Sequence, residues 1–222
     1  MDRARPRIPV LPLAWLLLGL AGHAGAQAPA ATQAPDPWQA LREVRARLAA
    51  SGPRSAQFEQ IYIPVGFSTG EKETGRLALS LPDCLRWDYN PPYPKSFLVC
   101  GNLAHYWSEE DKAGKRQRIA SKNEPGLDLL LLGIEELKSR YRASAAEAEL
   151  GQIQIRLEPL REIPECRYAV LTLDARAGVL SGLEYQDREG NLTRFLISRY
   201  GPLAGTDLFS PPSKIVWEEV AP

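Results

Sequence analysis

The chain has 222 residues, with 27 Lys and Arg against 27 Asp and Glu, 44 % hydrophobic and 24 % charged residues. These figures exclude a disordered acidic or basic tail as the bulk of the protein. The charge is unevenly placed. Arg3, Arg5 and Arg7 precede an uncharged run from Val10 to Ala21, and Ala24-Gly25-Ala26 follows it. This is the layout of a secretory signal peptide cleaved after Ala26. The run is too short to span a bilayer. Residues 1–26 are therefore expected to be an export signal, 27–36 an Ala- and Pro-rich flexible leader, and 37–222 one domain. Without the signal the balance is 24 positive to 26 negative residues, which offers no surface for nucleic acid. Gln27, not Cys, follows the cleavage site, so the exported product is expected to be soluble and not itself a lipoprotein.

The first predicted element is a helix. Asp36 is placed to accept hydrogen bonds from the free amides of its first turn, with Pro37 at the first position. Trp38, Leu41, Val44 and Leu48 follow at helical spacing, and Ser51-Gly52-Pro53 ends it. From Ser55 the period changes to two. Strands are predicted from there, at 74–81, 84–89, 95–103 and 115–121, then at 152–158, 167–174, 179–186, 192–200 and near 215–218. Asn90-Pro91-Pro92, Gly101-Asn102, 174–178 and 188–191 separate them as turns. Nine or ten short strands at such spacing imply an antiparallel sheet large enough to curl.

One apolar segment interrupts them. After Asn123 and Pro125, residues Leu127, Leu130, Leu131, Ile134 and Leu137 recur at helical spacing, with Leu129 and Leu132 on the flank. A helix this apolar has to be covered. It either plugs the core or forms a lid over a space above a concave sheet.

Cys84, Cys100 and Cys166 lie in a chain expected to reach an oxidising compartment. A hairpin centred on Pro92 sets Cys84 opposite Cys100, on the face shared by Arg86 and Asp88, and predicts a disulfide there. Pairings through Cys166, or three thiols, are the alternatives. The same register puts Leu85, Trp87 and Tyr89 on one face with Phe97 and Val99.

Catalytic signals are weak. Beyond the export signal the only histidine is His105, no Gly-x-Ser-x-Gly elbow occurs, and no Cys-x-x-Cys or His-x-x-x-His spacing suggests a metal. Glu109, Glu110 and Asp111 read as a solvated hairpin tip. No enzyme activity, cofactor or metal is expected.

The order of motifs resembles the LolA family, periplasmic carriers of outer-membrane lipoproteins. The resemblance covers nearly all of the domain: Phe58-Glu59-Gln60, Gly75-Arg76-Leu77, Pro82, Leu85-Arg86-Trp87-Asp88-Tyr89, Val99, Gly101, the Pro125 helix, Leu157-Glu158-Pro159, Leu183-Glu184-Tyr185-Gln186-Asp187 before Gly190, and Phe209-Ser210-Pro211-Pro212. It implies a mainly β (α+β) fold, an incomplete antiparallel barrel of about eleven strands, closed by a helical lid over an apolar cavity for acyl chains. It also implies an inner-membrane transporter as donor, an outer-membrane lipoprotein receptor as acceptor, and a monomer working in the periplasm.

Leu85, Trp87, Tyr89, Phe97 and Val99 from the sheet, and Leu127, Leu130, Leu131 and Ile134 from the lid, are expected to line that cavity. A plain core role for Trp87 and Phe97 stays open. The chain departs from the family where an arginine before the proline matched to Pro82 bonds to the lid: Leu81 stands there. The family's Asp-Gly turn reads Cys100-Gly101, and its aromatic cluster reads His105-Tyr106-Trp107. These departures favour a specialised carrier for another lipid, such as a polyene or glycolipid. A lipoprotein-sensing interaction module on the same half-barrel is the alternative from a different class; that regulator has a further C-terminal domain, and none is expected after the last strand here.

Overall fold

The computed structural model describes residues 34–119, 127–163, 165–203, 205 and 207–220. The expected export signal, the leader up to Gln33, and Asn123 and Pro125 lie outside the described residues. Helix α1 (Pro37–Ala50) starts as expected: the Asp36 carboxylate accepts from the amides of Trp38 at 2.8 Å and Gln39 at 2.9 Å. Its buried stripe is Leu41, Val44 and Leu48.

Six strands follow: β1 (Arg54–Ile63), β2 (Glu71–Ser80), β3 (Cys84–Tyr89), β4 (Ser96–Cys100), β5 (Leu103–Ser108) and β6 (Ala113–Arg118). Helices α2 (Leu127–Leu131) and α3 (Ile134–Arg140) precede β7 (Tyr141–Glu147), β8 (Gln152–Pro159), β9 (Tyr168–Asp174), β10 (Val179–Gln186), β11 (Leu192–Pro202) and β12 (Val216–Val220). All twelve strands belong to one open sheet in the order β12-β6-β5-β4-β3-β2-β1-β11-β10-β9-β8-β7. Every pairing is antiparallel except β12 with β6, which is parallel.

The sheet is thus two meanders joined through the β1–β11 pair. The chain leaves the first at β6 and re-enters at β7, the far edge. The segment containing α2 and α3 links the two sides. Its apolar residues Leu129, Leu131, Leu132 and Leu137 join the main core with Leu85, Trp87 and Val99 from the sheet and the α1 stripe.

Three expectations need correction. The strand expected over 95–103 is β4 and the start of β5, because Gly101 turns the chain with φ of +59°, a conformation glycine adopts freely. The alanine-rich β7 carries little β-propensity and escaped the pattern; it forms because it pairs along β8 from Tyr141↔Pro159 to Glu147↔Ile153. The single lid helix is two, divided before Ile134, with Gly133 extended as the residue before α3.

The β3–β4 register matches the hairpin centred on Pro92, and Cys84 and Cys100 form a disulfide. The bonds Tyr89 N to Lys95 O and Gly101 N to Asp83 O mark the hydrogen-bonded pairs of this ladder. Cys84 and Cys100 therefore form a non-hydrogen-bonded pair, the one whose side chains lie closer. Cys166 is buried in the main core.

A second, small core covers the other face of this hairpin. Leu98 and Trp107 pack there with Ile215, Phe209 and Trp217 from the C-terminal segment. Arg86 anchors that segment: Nη1 donates to Leu208 O at 3.0 Å, Nε meets Asp88 Oδ1 at 2.8 Å, and the guanidinium lies 4.9 Å from the Trp107 ring centre.

Candidate functional site

The face under the helices carries a continuous band of aromatic rings across five strands. Phe58 of β1 makes edge contacts with Trp87 at 5.2 Å and Tyr89 at 4.9 Å between ring centres. Phe195 of β11 sits 5.0 Å from Trp87. Beyond Tyr89, Phe97 follows at 6.0 Å and Tyr106 of β5 at a further 4.7 Å. Alternation explains the placement: Trp87 pairs with Phe97, and Phe97 with Tyr106, so their side chains leave the same face.

Burial changes along the band. Leu85, Trp87 and Val99 are buried, Tyr89 and Phe97 are half-buried, and Tyr106 is exposed. At the open end Phe97, Val99, Ala104, Tyr106, Lys115 and Gln117 line a cavity of about 270 Å³, together with His105, Arg116 and, from β12, Val220. That volume is just below the range of roughly 300–1,000 Å³ usual for ligand sites. A larger hollow of about 490 Å³ lies on the opposite face of β8–β11, but Gln152, Gln154, Thr172, Ser181, Glu184 and Arg194 contribute to its wall, which does not suit an alkyl chain.

The sequence-expected sheet residues thus share one face, but only Phe97 and Val99 border the cavity. Leu85 and Trp87 are core, and Tyr89 is tied by its hydroxyl, which donates to Gln60 Oε1. Burial and the Glu73 carboxylate push the Tyr89 phenol well above its ordinary range, so it stays a neutral donor. The Trp87 indole N–H is buried without an acceptor.

On the lid, Leu131 and Leu137 are buried and Leu130 and Ile134 are half-buried, and the flank residues Leu129 and Leu132 are also buried, at 2 % and 1 % exposure. The break before α3 resets the helical phase, so a single stripe over 127–137 cannot describe both helices. The Leu127 side chain lies outside the described residues.

Sequence reasoning missed Arg45. From the polar side of α1 its Nη1 donates to Leu130 O at 2.7 Å and reaches Leu129 O at 3.4 Å. Carbonyls at a helix end lack intrahelical partners, and a cation there satisfies them. Burial lowers the Arg45 pKa from its ordinary value. Leu81, where the resembled family has its lid-binding arginine, is packed against the core. Ala104, Tyr106 and Lys115 were also missed as lining residues; the alternation of His105-Tyr106-Trp107, which sends only Tyr106 to this face, was the available signal.

Among the described residues no group of three or more His, Cys, Asp or Glu side chains could hold a metal ion, and no helix is long and apolar enough to cross a membrane.

The family model described as "Outer membrane lipoprotein carrier protein LolA" matches residues 53–207. An outer-membrane lipoprotein carrier protein of Chromobacterium violaceum is 26 % identical over 219 residues, covering 95 % of this chain and 97 % of that protein. An uncharacterized conserved protein of Thermus thermophilus has the same fold, with a TM-score of 0.54 at 10 % identity over 82 % of this chain and 98 % of its own. A LolA superfamily protein of Nitrosomonas europaea aligns with a TM-score of 0.45 at 7 % identity, over 80 % and 99 % of the two chains. The matched residues span most of the twelve-stranded open sheet, and the chain belongs to the LolA family of outer membrane lipoprotein carrier proteins.

Proposed function

We propose that the protein is exported to the periplasm and carries acyl chains of lipoproteins, or of a related lipid, from an inner-membrane transporter to an outer-membrane receptor. The carrying observation is the small apolar cavity at the end of the aromatic band, on the sheet face covered by α2 and α3. An alkyl chain of ~16 carbons exposed to water costs on the order of 10 kcal/mol, so it crosses an aqueous space only inside such a shelter. At about 270 Å³ the half-open cavity holds part of such a chain. Loading therefore requires the lid to lift and the trough beneath it to open. Leu130 and Ile134 above, and Tyr89, Phe97, Val99 and Tyr106 below, are the residues assigned to acyl contact.

The test is binding of a fluorescent fatty-acyl probe to the purified protein. Replacing Ala104 with Trp fills the space and is expected to weaken binding by about tenfold or more while leaving the fold intact; Leu130→Asp does the same from the lid. Unchanged binding in both variants overturns the site. Lipid extracted from the protein and identified by mass spectrometry separates lipoprotein cargo from a specialised glycolipid or polyene.

A further inference from the structure

Two hairpin tips at one end of the sheet expose apolar side chains that the core does not use. Val65 and Phe67 lie in the β1–β2 turn, and Tyr93 in the β3–β4 turn; Phe67 and Tyr93 are 69 % and 72 % exposed. The register places them together at that end: β2 pairs with both β1 and β3, and Asn90 Nδ2 of the second turn donates to Thr74 Oγ1 near the start of β2. The exposed member of the aromatic band, Tyr106, lies toward the same end, two residues before the end of β5.

We propose that these tips form a membrane-contact edge that dips into the interfacial layer of a zwitterionic phospholipid surface. Four features point to lipid. Residues 64–70 and 90–94 contain no charged side chain. Their free amides are reduced in number: Pro64, Pro91, Pro92 and Pro94 have none, Phe67 N donates to Pro64 O, Asn90 N to Thr74 O, and Val65 N to Asn191 Oδ1. Each amide that is absent or paired lowers the cost of entering a water-poor layer and leaves fewer for a strand-adding protein partner.

Behind the tips, Lys95 pairs with Glu73 and Lys72 with Glu59, with Glu71 exposed beside them, at the depth headgroups would occupy. The neighbouring β5–β6 turn carries Glu109, Glu110 and Asp111 against Lys112, which disfavours an anionic surface. Phenylalanine and tyrosine at the tips are suited to the interface itself. The inference deepens the carrier reading by naming the surface the protein meets when it unloads.

The test is co-flotation of the purified protein with protein-free phosphatidylcholine and phosphatidylethanolamine vesicles, at low and high salt. Wild-type protein is expected to bind weakly and independently of salt. Phe67→Ser and Tyr93→Ser are each expected to reduce the bound fraction by about tenfold, and Phe67→Trp to preserve it. The N-terminal segment is common to all variants, so the difference reads the tips alone. A polarity-sensitive fluorophore on Phe67→Cys should shift to the blue on vesicles. No binding to protein-free vesicles, binding that needs anionic lipid and disappears in salt, or equal binding by the serine variants overturns the proposal. Acyl-probe loading is measured in parallel and is expected to be unchanged by Phe67→Ser. If no probe loads while vesicle binding still follows Phe67, the carrier reading falls and the contact edge stands.

Discussion

The ring of Phe58 lies across β2 directly above Gly75: a Cβ added at Gly75 would stand 2.5 Å from Phe58 Cζ and 2.2 Å from Asp88 O. Gly75 is paired with Phe58 on one side and Tyr89 on the other. Only a residue without a side chain lets the Phe58 ring cross the strand between and touch Tyr89. The aromatic band depends on this missing methyl group.

Gly75→Ala is accordingly expected to destabilise the protein by about 1–3 kcal/mol, since either the ring or the β3 backbone has to move. A chain of this size should lose roughly 2–4 °C of melting temperature per kcal/mol. Thermal unfolding followed by near-ultraviolet circular dichroism reads both the loss and the disturbed rings. An unchanged melting temperature would show that the sheet absorbs the methyl group elsewhere.

Arg45→Leu should loosen the lid without unfolding the sheet. A hydrogen bond from a charged donor contributes about 1.5–3 kcal/mol, so the open population should rise by roughly tenfold to a hundredfold. Hydrogen exchange across residues 129–140 is expected to accelerate, while exchange in β1 and β11 stays slow. Acyl probe should also enter faster. Equal exchange in both proteins would remove Arg45 from the gate.

The Cys84–Cys100 disulfide closes a short loop, which limits its contribution to about 3 kcal/mol. The Cys84→Ala, Cys100→Ala double variant should fold and melt lower, and reductant should lower the wild-type melting temperature but not that of the variant. Peptide mass analysis of the non-reduced protein checks the pairing, and a link to Cys166 would contradict the β3–β4 register.

His105 predicts a dependence on pH. It is 6 % exposed, and its ring meets Trp217 edge-on at 5.0 Å. Burial first, and then the Arg116 guanidinium, hold its pKa below the ordinary 6.5, against smaller opposing effects from the Leu98 backbone and Glu219. The unfolded chain therefore takes up a proton that the folded chain resists. Stability is full above pH 6.5 and declines as pH falls from there through the lower folded value. His105→Gln should flatten this decline in denaturant titrations between neutral and mildly acidic pH. A slope identical to wild type would assign the effect to other groups.

Much of the architecture was legible because strand period, turn residues and hairpin symmetry are local properties. The turn around Pro92 was enough to set Cys84 against Cys100 and Trp87 against Phe97. The elements that escaped depend on partners remote in sequence. β7 is a strand because β8 lies beside it, not because Ala143, Ala145 and Ala146 favour one. Arg45 reads as one charge among several on the polar side of α1, and nothing near it announces that the carbonyls it binds lie 84 and 85 residues away. The half-buried state of Phe97 and Tyr89, as opposed to the full burial of Leu85, depends on where the lid ends, which periodicity does not encode.

The route of the chain from β6 to β7 has a mechanical meaning. The lid is not a flap hinged at one point, because its two ends are tethered to opposite sides of the sheet. At its C-terminal end there is no slack: α3 ends at Arg140 and β7 begins at Tyr141, so lifting α3 draws directly on the edge strand. Displacing that edge strand and displacing α3 are therefore mechanically linked.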